Sequence, residues 1–379
     1  MPVKKNNMPT KPVVSVLMLT ADHHAPFIRE AIQSVIGQTF KGWELIVLDD
    51  GPEYKACQEA GICEDSRVLY ISQKHQGPEC IADSYNKLLQ LARGDFIAVL
   101  EGDDLWTDHK LPEQIKMLSE ESDSVLCYGK ASSVDRYGRL ISEKPSETLE
   151  IALREHPDWL YNRPTGAALE GMLHGIFIST LTVLIRKSVL IKIGGFQKIP
   201  GGITTVDYPT VFVLAFEGAF LFVPYTLGYW RSYGANTSAA HGCKMTLTMI
   251  DDLLSRLPTY RHLVKTADLG KAVMVWDNSL AMFYTLLGRI FLSGGDFPRA
   301  KFWFSKLFFS RRLRDRIRAN LFLGASLFRL RKFIEAIYKI TGRITIDRLP
   351  PGELDEQRVL RVEGMLRRIQ KDLSRQEDA

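Results

Sequence analysis

The sequence predicts an α/β fold with a mostly parallel central sheet, followed by a helical extension. In roughly the first 130 residues, short apolar runs of strand length alternate with segments that carry apolar side chains on one helical face. Acidic pairs follow two of these runs, and from about Cys243 onward helical periodicity dominates. Strands and helices that alternate in this way form βαβ units, so we expect a sheet with helices on both faces.

Four strands and two helices are predicted in this first part. Val13–Leu19 is a nearly continuous apolar run, which suits a strand buried on both faces. Further strands are expected at Leu45–Leu48, Arg67–Ile71 and Asp95–Leu100. Two intervening segments have a helical apolar face, formed by Ile28, Ala31, Ile32, Val35 and Ile36 in the first and by Ile81, Tyr85, Leu88, Leu89 and Ala92 in the second.

The pattern is less regular past Leu140. A strand is expected at Ser179–Ile185, a helix and turn at Arg186–Gly195, and a further strand at Phe220–Trp230. Pro350-Pro351-Gly352 precedes a last helix, whose apolar face is formed by Val362, Leu366, Ile369 and Leu373.

Composition and length exclude several classes of protein. The chain has 379 residues, of which 45% are hydrophobic and 25% charged, so collagen-like and wholly disordered chains are excluded. Its five cysteines form no CxxC pair, which argues against a disulfide framework and predicts a reducing compartment. Asp22, His23 and His24 interrupt the first apolar run, and no stretch of about 20 apolar residues follows. We therefore expect a cytoplasmic protein without a signal peptide or transmembrane helix.

Positive charge is concentrated in Asp296–Arg343, which holds thirteen Lys and Arg against three acidic residues. An apolar stripe opens this segment, formed by Phe297, Ala300, Trp303, Phe304, Leu307 and Phe308. A basic amphipathic helix suits an anionic bilayer surface, here the inner face of the cell membrane. A helical subdomain with a solvated basic face explains the same pattern, and both interpretations stay open.

Acidic pairs stand at the ends of the second and fourth predicted strands, as Asp49-Asp50 and Asp103-Asp104. Ligands bind at the carboxyl ends of strands in open α/β sheets. Like charges at one edge repel unless a cation or a hydrogen-bond donor compensates them, so these pairs predict a ligand site. The sequence lacks GxGxxG, GxxxxGK[ST], GxSxG and HExxH, which disfavours dinucleotide oxidoreductases, P-loop NTPases, serine hydrolases and zinc proteases.

Several segments between Ser15 and Ser238 follow one another in a specific order. They are the opening strand 15–20, AIQSV at 31–35 with QTF at 38–40, WELIVLDDG at 43–51, GDFI at 94–97 and LEGDDLW at 100–106. Asn86 lies eight residues before Gly94. In order and spacing these segments resemble the inverting glycosyltransferases of the family 2 type. That resemblance implies the A-type glycosyltransferase fold, a Rossmann-like, mostly parallel sheet with flanking helices.

The resemblance implies roles for the residues at the strand ends. A divalent metal, manganese or magnesium, would be held by Asp103 and Asp104 and would neutralise the leaving diphosphate. Asp103 would also face the ribose or sugar, Asp50 would hydrogen-bond the nucleotide base, and Thr20 would line the nucleotide-sugar site. Helix-capping acids before Leu105 are the competing explanation for the second pair.

Three residues are assigned to the acceptor side or the diphosphate. Inversion needs a base for the acceptor hydroxyl, and Asp207 resembles the acidic position that precedes a helix in the family. A helix-capping Asp207 competes with that role. Gly228–Arg231 resembles the family's "YR.H" segment, so Arg231 could approach the diphosphate and Trp230 could stack on a sugar. Core aromatics with a solvated arginine would explain the segment equally well.

The sequence also departs from the family pattern. Ala21, followed by Asp22, takes the place of a common aromatic residue, Tyr85 that of a frequent arginine, and Glu101 that of the first Asp of D-x-D. Glu101 keeps the negative charge, so inactivation is not expected. The histidines His23, His24, His174 and His241 are expected to be structural or exposed rather than metal ligands.

Together these features predict a metal-dependent inverting glycosyltransferase in cell-envelope polysaccharide or glycan synthesis. It would transfer a sugar from a nucleotide sugar, most simply a UDP-sugar, to a saccharide or lipid-linked saccharide, and it would not bind nucleic acid. The alternative is an inactive sugar-nucleotide-binding or membrane-scaffold protein of the same fold. The expected domains are a flexible tail 1–12, a catalytic domain 13–243 with nucleotide-binding half 13–130 and acceptor half 131–243, and a helical extension 244–379 that is basic and amphipathic at 296–343.

Overall fold

A computed structural model describes residues 11–51, 65–199, 207–233, 237–263, 266–309, 317 and 354–377. The chain forms two compact units, Met1–Ala239 and Ala240–Ala379. The first unit contains the sheet, and the second is helical where it is described.

Nine strands in the described part of the first unit form one sheet, in the order β3-β2-β1-β4-β8-β6-β9-β5, with β7 paired to β6. The strands β1 to β4 are parallel to one another, whereas β4, β8 and β6 are paired antiparallel. The strand bounds are β1 Val14–Thr20, β2 Trp43–Asp49, β3 Val68–Ser72, β4 Phe96–Glu101, β5 Leu105–Trp106, β6 Ser124–Val134, β7 Leu140–Ser142, β8 Leu184–Arg186 and β9 Ala219–Arg231.

Helices connect and flank these strands. Those of the first unit are α1 Ile28–Ile36, α2 Ile81–Leu91, α3 Lys110–Glu120, α4 Glu147–Glu155, α5 Pro157–Tyr161, α6 Ala168–His174, α7 Lys187–Lys192 and α8 Asp207–Leu214. Short 3₁₀ helices lie at Asp22–His24, Pro78–Cys80 and Thr180–Thr182. The predicted α/β fold, with a mostly parallel sheet and flanking helices, is confirmed.

The core explains why the apolar periodicity of the sequence predicts this architecture. All seven residues of β1 and all seven of β2 are buried, as expected for strands covered on both faces. On α1, Ala31, Ile32 and Val35 are buried in the same cluster as the strand residues Val16 and Leu45. The helix thus covers one face of the parallel part of the sheet.

One predicted strand is shorter than expected. The segment Ser179–Ile185 forms the Thr180–Thr182 turn and only then enters β8. The hydroxyl of Thr182 donates to the carbonyl oxygen of Ser179 at 2.8 Å, and the Thr182 amide donates to the same oxygen at 2.9 Å. These local bonds close a turn that hydropathy alone does not reveal.

The strand register places the carboxyl ends of three parallel strands side by side. Thr20 lies opposite Asp49 in the β1–β2 pair, and Leu19 lies opposite Glu101 in the β1–β4 pair. The carboxyl ends of β1, β2 and β4 therefore meet at one edge of the sheet, as the sequence predicted.

The second unit uses the predicted apolar stripe as its own core. Its helices are α9 Thr237–Tyr260, which begins in the first unit, α10 Thr266–Gly294, α11 Phe297–Lys306 and α12 Glu356–Glu377, with 3₁₀ helices at Arg261–Leu263 and Leu307–Phe309. Trp303, Phe304 and Leu307 are fully buried, and the Trp303 indole donates to Glu356 at 3.0 Å. Phe302 and Phe308 are exposed.

The arginine-rich stretch that follows Phe309 lies outside the described residues, except for Ile317. Within the part of the chain that the structure describes, we find no helix with the length and apolarity needed to cross a membrane.

Candidate active site

Three predicted site residues lie at the edge where β1, β2 and β4 end. Thr20 is the last residue of β1, Asp50 follows β2, and Asp103 follows β4 in the turn to β5. The Asp50 amide donates to the Thr20 carbonyl oxygen at 2.8 Å, and the Gly102 amide donates to that of Leu19 at 3.1 Å. These backbone bonds join the two acidic turns to the central strand.

Asp103 lies between Tyr233 and His24 at this edge. Its side chain is almost fully buried, and its Oδ2 accepts a hydrogen bond of 2.9 Å from the hydroxyl of Tyr233. On the other side, Nε2 of His24 lies 3.6 Å from Oδ1. Burial lowers the pKa of His24 to about 4, although the nearby Asp103 carboxylate acts in the opposite direction. The imidazole is therefore neutral at pH 7.

Asp104 is bound more tightly to the fold than its neighbour. Its Oδ1 accepts a 2.9 Å hydrogen bond from the backbone nitrogen of Arg231. Burial, and then the charge of Asp103, raise the pKa of Asp104 well above its usual range. Asp104 thus links the acidic turn to the end of β9.

Arg231 is buried, not solvated. Its Nε donates to the backbone oxygen of Asp103 at 2.8 Å, and its Nη2 donates to Glu30 at 2.7 Å. The guanidinium also lies over the ring of Phe27, 4.7 Å from the centroid. These contacts make Arg231 a residue that positions the Asp103-Asp104 turn, which differs from the direct approach to a diphosphate that the sequence suggested.

Asp50 holds the loop that follows β3. Its carboxylate accepts hydrogen bonds from the side chain of Gln73 and the backbone amides of Gln76 and Gly77, at 2.9 to 3.3 Å. The ring of His75 lies 3.1 Å from Oδ2 and is 58% exposed. The Asp50 carboxylate is therefore already engaged by its own chain, and the His75 contact is the one most open to solvent.

Two departures from the family pattern contact each other. The hydroxyl of Tyr85 donates to Oε1 of Glu101 at 2.8 Å. Burial, and then the charge of Glu101, raise the pKa of Tyr85 well above its usual range, so this hydroxyl remains a donor at neutral pH. Tyr85 is thus a neutral hydrogen-bond donor to the carboxylate of Glu101, next to the acidic turn.

Two other motif residues have architectural roles. Gln38 accepts from the Leu111 amide at 3.0 Å and donates to the Thr107 oxygen at 2.6 Å, which ties α1 to the start of α3. Asn86 bonds both the amide and the carbonyl of Phe196, at 2.8 and 2.9 Å. These hydrogen bonds give both residues a role in chain packing.

The acceptor-side residues are less fully defined. Helix α8 begins at Asp207, whose side chain lies outside what the structure describes. Trp230 is 37% exposed on β9, next to the buried Arg231. The base role of Asp207 and the stacking role of Trp230 stay predictions.

Sequence reasoning missed two residues at Asp103. His24 was expected to be structural or exposed, and Tyr233 was not singled out. The acidic interruption at Asp22 and the paired histidines were the available signal for His24, because polar residues directly after a buried parallel strand stand at the ligand edge. Nothing in the local sequence indicated Tyr233.

Within the described residues, two carboxylate oxygens of the acidic turn accept no hydrogen bond, namely Oδ1 of Asp103 and Oδ2 of Asp104. In the chain as described, no group of three or more His, Cys, Asp and Glu side chains could hold a metal ion. Divalent cations in nucleotide sites commonly use one or two carboxylates plus the substrate phosphates. Among the described residues Oδ1 of Asp103 accepts no hydrogen bond, whereas Asp104 is bonded to Arg231. These residues fit a cation held mainly through Asp103 and the phosphates of a donor.

Curated relatives match about a third of the chain. An uncharacterised glycosyltransferase of Methanocaldococcus jannaschii is 32% identical over 143 residues, covering 36% of this chain and 48% of the relative. The Escherichia coli protein WfgD, a UDP-Glc:α-D-GlcNAc-diphosphoundecaprenol β-1,3-glucosyltransferase, is 34% identical over 119 residues, covering 31% of this chain and 45% of WfgD. The chain thus spans about half the length of these curated relatives, or slightly less.

A solved structure and a family model agree with that comparison. The structure of Staphylococcus aureus TarS 1–349 in complex with UDP-GlcNAc superposes with a TM-score of 0.50 at 14% identity, over 72% of this chain and 80% of TarS 1–349. It supports the fold alone. The model of glycosyl transferase family 2 matches residues 15–194, which include Thr20, Asp50, Asp103 and Asp104. Residues 15–194 are accordingly similar to glycosyl transferase family 2, and the fold of the chain is that of the A-type glycosyltransferases.

Proposed function

We propose that this protein transfers a sugar, with inversion at the anomeric carbon, from a nucleotide-diphosphate sugar to a hydroxyl group of a saccharide or lipid-linked saccharide. The observation that carries the proposal is the position of Asp103. Its carboxylate lies at the carboxyl end of β4, at the same sheet edge as Thr20 and Asp50, and its Oδ1 accepts no hydrogen bond from a described residue.

The nucleotide base would bind at the Asp50 side of this edge. A base N–H needs an acceptor, and the solvent-exposed His75 contact is the easiest for a base to replace. The name of WfgD, which uses UDP-Glc, supports a UDP-sugar as the donor. Thr20, at the end of β1 between the two acidic turns, would line the path from base to diphosphate.

The diphosphate would lie at Asp103. Asp103, with Asp104 behind it, would hold manganese or magnesium there. Such a cation, when bound, neutralises the charge that develops on the departing diphosphate. Arg231 and Tyr233 keep the acidic turn in place, so the carboxylate is already oriented before the donor binds.

The acceptor would enter from the side of α8 and β9. Asp207 would take the proton of the acceptor hydroxyl while its oxygen forms the new bond to the anomeric carbon. The bond from that carbon to the diphosphate oxygen breaks on the opposite face, which inverts the configuration. The exposed face of Trp230 would stack on a sugar ring.

A lipid-linked acceptor is supported by the diphosphoundecaprenol-linked acceptor in the name of WfgD. The basic residues of Asp296–Arg343 would then bring the enzyme to the anionic inner face of the cell membrane. Co-sedimentation with anionic vesicles tests this part: we expect salt-sensitive binding, and no binding at low salt would indicate a soluble acceptor.

The proposed reaction is tested with a panel of UDP-, GDP- and dTDP-sugars, incubated with Mn²⁺ and saccharide acceptors. We expect one donor to be consumed, with proton NMR of the first product revealing the opposite anomeric configuration to that of the donor. A product with retained configuration would exclude the single displacement. Absence of both turnover and nucleotide binding across the panel would favour the inactive protein.

A further inference from the structure

His24 lies at the ligand edge because the chain turns immediately after β1. The 3₁₀ helix Asp22–His24 follows Thr20 after one residue and directs the imidazole toward the Asp103 turn. The ring is 7% exposed. Such burial is unusual for a histidine without a hydrogen bond, since buried polar groups are normally hydrogen-bonded.

The His24 ring has no hydrogen bond at either nitrogen within the described residues. Nδ1 is buried and unpartnered. Nε2 is 3.6 Å from Oδ1 of Asp103, which is too long for a hydrogen bond.

The opposing oxygen is also open. Tyr233 holds Oδ2 of Asp103 at 2.9 Å, which fixes the carboxylate and leaves Oδ1 turned toward the imidazole. Glycine at position 102 is needed for this approach, because a Cβ there would lie 3.0 Å from Nδ1 of His24 and 2.7 Å from Oγ1 of Thr20. A nitrogen and a carboxylate oxygen therefore lie 3.6 Å apart without a hydrogen bond between them.

We propose that Nε2 of His24 and Oδ1 of Asp103 bind the same divalent cation, so that the metal site contains an imidazole nitrogen. The inference rests on the proposed function, which brings a cation to Asp103. Metal–nitrogen and metal–oxygen bonds of about 2.0–2.2 Å allow two ligands of one ion to be roughly 3–4 Å apart, and the observed separation falls in that interval.

An imidazole ligand has a consequence for metal preference. Mg²⁺ takes oxygen ligands almost exclusively, whereas first-row transition ions accept an imidazole nitrogen with an affinity that rises from Mn²⁺ to Co²⁺. The protein should therefore bind UDP more tightly with Mn²⁺ or Co²⁺ than with Mg²⁺, by about tenfold, which corresponds to about 1.4 kcal/mol. Replacing His24 should reduce this tenfold difference in UDP affinity, mainly because the complexes with Mn²⁺ and Co²⁺ become weaker.

The direct test is pulsed electron paramagnetic resonance of Mn²⁺ bound to the full chain with UDP. We expect the modulation of a directly coordinated ¹⁴N in the wild-type protein, replaced by the ¹⁵N pattern when the protein is labelled with ¹⁵N. The signal should persist in His23→Gln and vanish in His24→Gln. His23 is the matched control, because it is exposed and its ring centroid lies 4.0 Å from that of His24.

The wild-type spectrum decides the matter even if His24→Gln fails to fold. Bound Mn²⁺ without protein ¹⁴N coupling would overturn the imidazole ligand and leave the proposed function intact. Coupling that survives in a folded His24→Gln variant would overturn it as well. Absence of any Mn²⁺ binding with UDP would overturn both this inference and the cation of the proposed function.

Discussion

The backbone nitrogen of Arg231 donates a 2.9 Å hydrogen bond to Oδ1 of Asp104. The same residue binds the Asp103 carbonyl oxygen through Nε, so the end of β9 holds both members of the acidic pair. The two residues are 127 positions apart in the chain, and their contact joins the strands that carry the donor-side and acceptor-side residues. The geometry of the candidate active site thus depends on a buried arginine outside the family-model match.

Arg231→Met is expected to destabilise the protein and weaken UDP binding. The variant leaves the Asp103 carbonyl and Glu30 without their donor, at a cost of about 2 kcal/mol. Chemical denaturation of the full chain and calorimetry with UDP and Mn²⁺ measure the two effects. Glu30→Gln is the control: Glu30 is half exposed, so its loss of charge should cost less than about 1 kcal/mol. Wild-type stability in Arg231→Met would contradict the positioning role.

Asp104→Ala is expected to lower the free energy of unfolding by about 1–3 kcal/mol, because the buried Arg231 amide loses its acceptor. Asp104→Asn retains an acceptor oxygen and should lose less than half of that amount. The two denaturation curves provide the comparison. Equal stability of the alanine variant and the wild type would mean that Asp104 does not hold the acidic turn.

Asp207→Asn should separate binding from chemistry. If Asp207 is the acceptor base, the variant should lose about a hundredfold or more in transfer rate, the usual scale for a general base. Its affinity for UDP with Mn²⁺ should stay within about twofold of wild type, since the change is isosteric. A transfer rate close to that of the wild type would reduce Asp207 to a helix-capping residue.

Lys110 predicts a pH dependence of stability. It is fully buried, its Nζ donates to Gln114 at 2.7 Å, and burial lowers its pKa to about 7. Between pH 7 and the unfolded pKa near 10.4 the unfolded chain holds more protons than the folded one, so stability rises with pH.

The size of that effect is measured against a variant that cannot titrate. From pH 7 to pH 9 the wild type should gain about 2 kcal/mol relative to Lys110→Met, because one pKa unit corresponds to about 1.4 kcal/mol. The free energy of unfolding is measured for both proteins at both pH values. Other titrating groups contribute equally to the two proteins, so their contributions cancel in the difference. Parallel pH profiles would show that Lys110 remains protonated in the fold.

The sequence predicted correctly those features that depend on a single strand, namely its burial and the position of its end. Buried runs at β1, β2 and β4 predicted the parallel sheet, and the strand ends predicted the edge that carries Thr20, Asp50 and Asp103, because period and burial are local properties. The segment at Ser179 was less predictable, since a side-chain hydroxyl closes its turn.

Contacts between distant side chains could not be predicted in this way. Arg231 and Glu30 are 201 residues apart, and Tyr233 and Asp103 are 130 apart. Such pairs leave no periodic signal, and they decide which residues touch Asp103. This is why the sequence did not reveal the contacts by which Arg231 holds the acidic turn, or the position of His24 beside Asp103; the diphosphate role of Arg231 stays a prediction.

The central claim is that the Asp103 carboxylate supports cation-dependent binding of a nucleoside diphosphate. Isothermal titration of UDP into wild type and Asp103→Asn, each with and without Mn²⁺, tests it most directly. We predict that Mn²⁺ increases the affinity of the wild type by at least about tenfold, about 1.4 kcal/mol, and leaves that of Asp103→Asn unchanged. The same Mn²⁺-dependent gain in both proteins would contradict the assignment of Asp103 as the centre of the site.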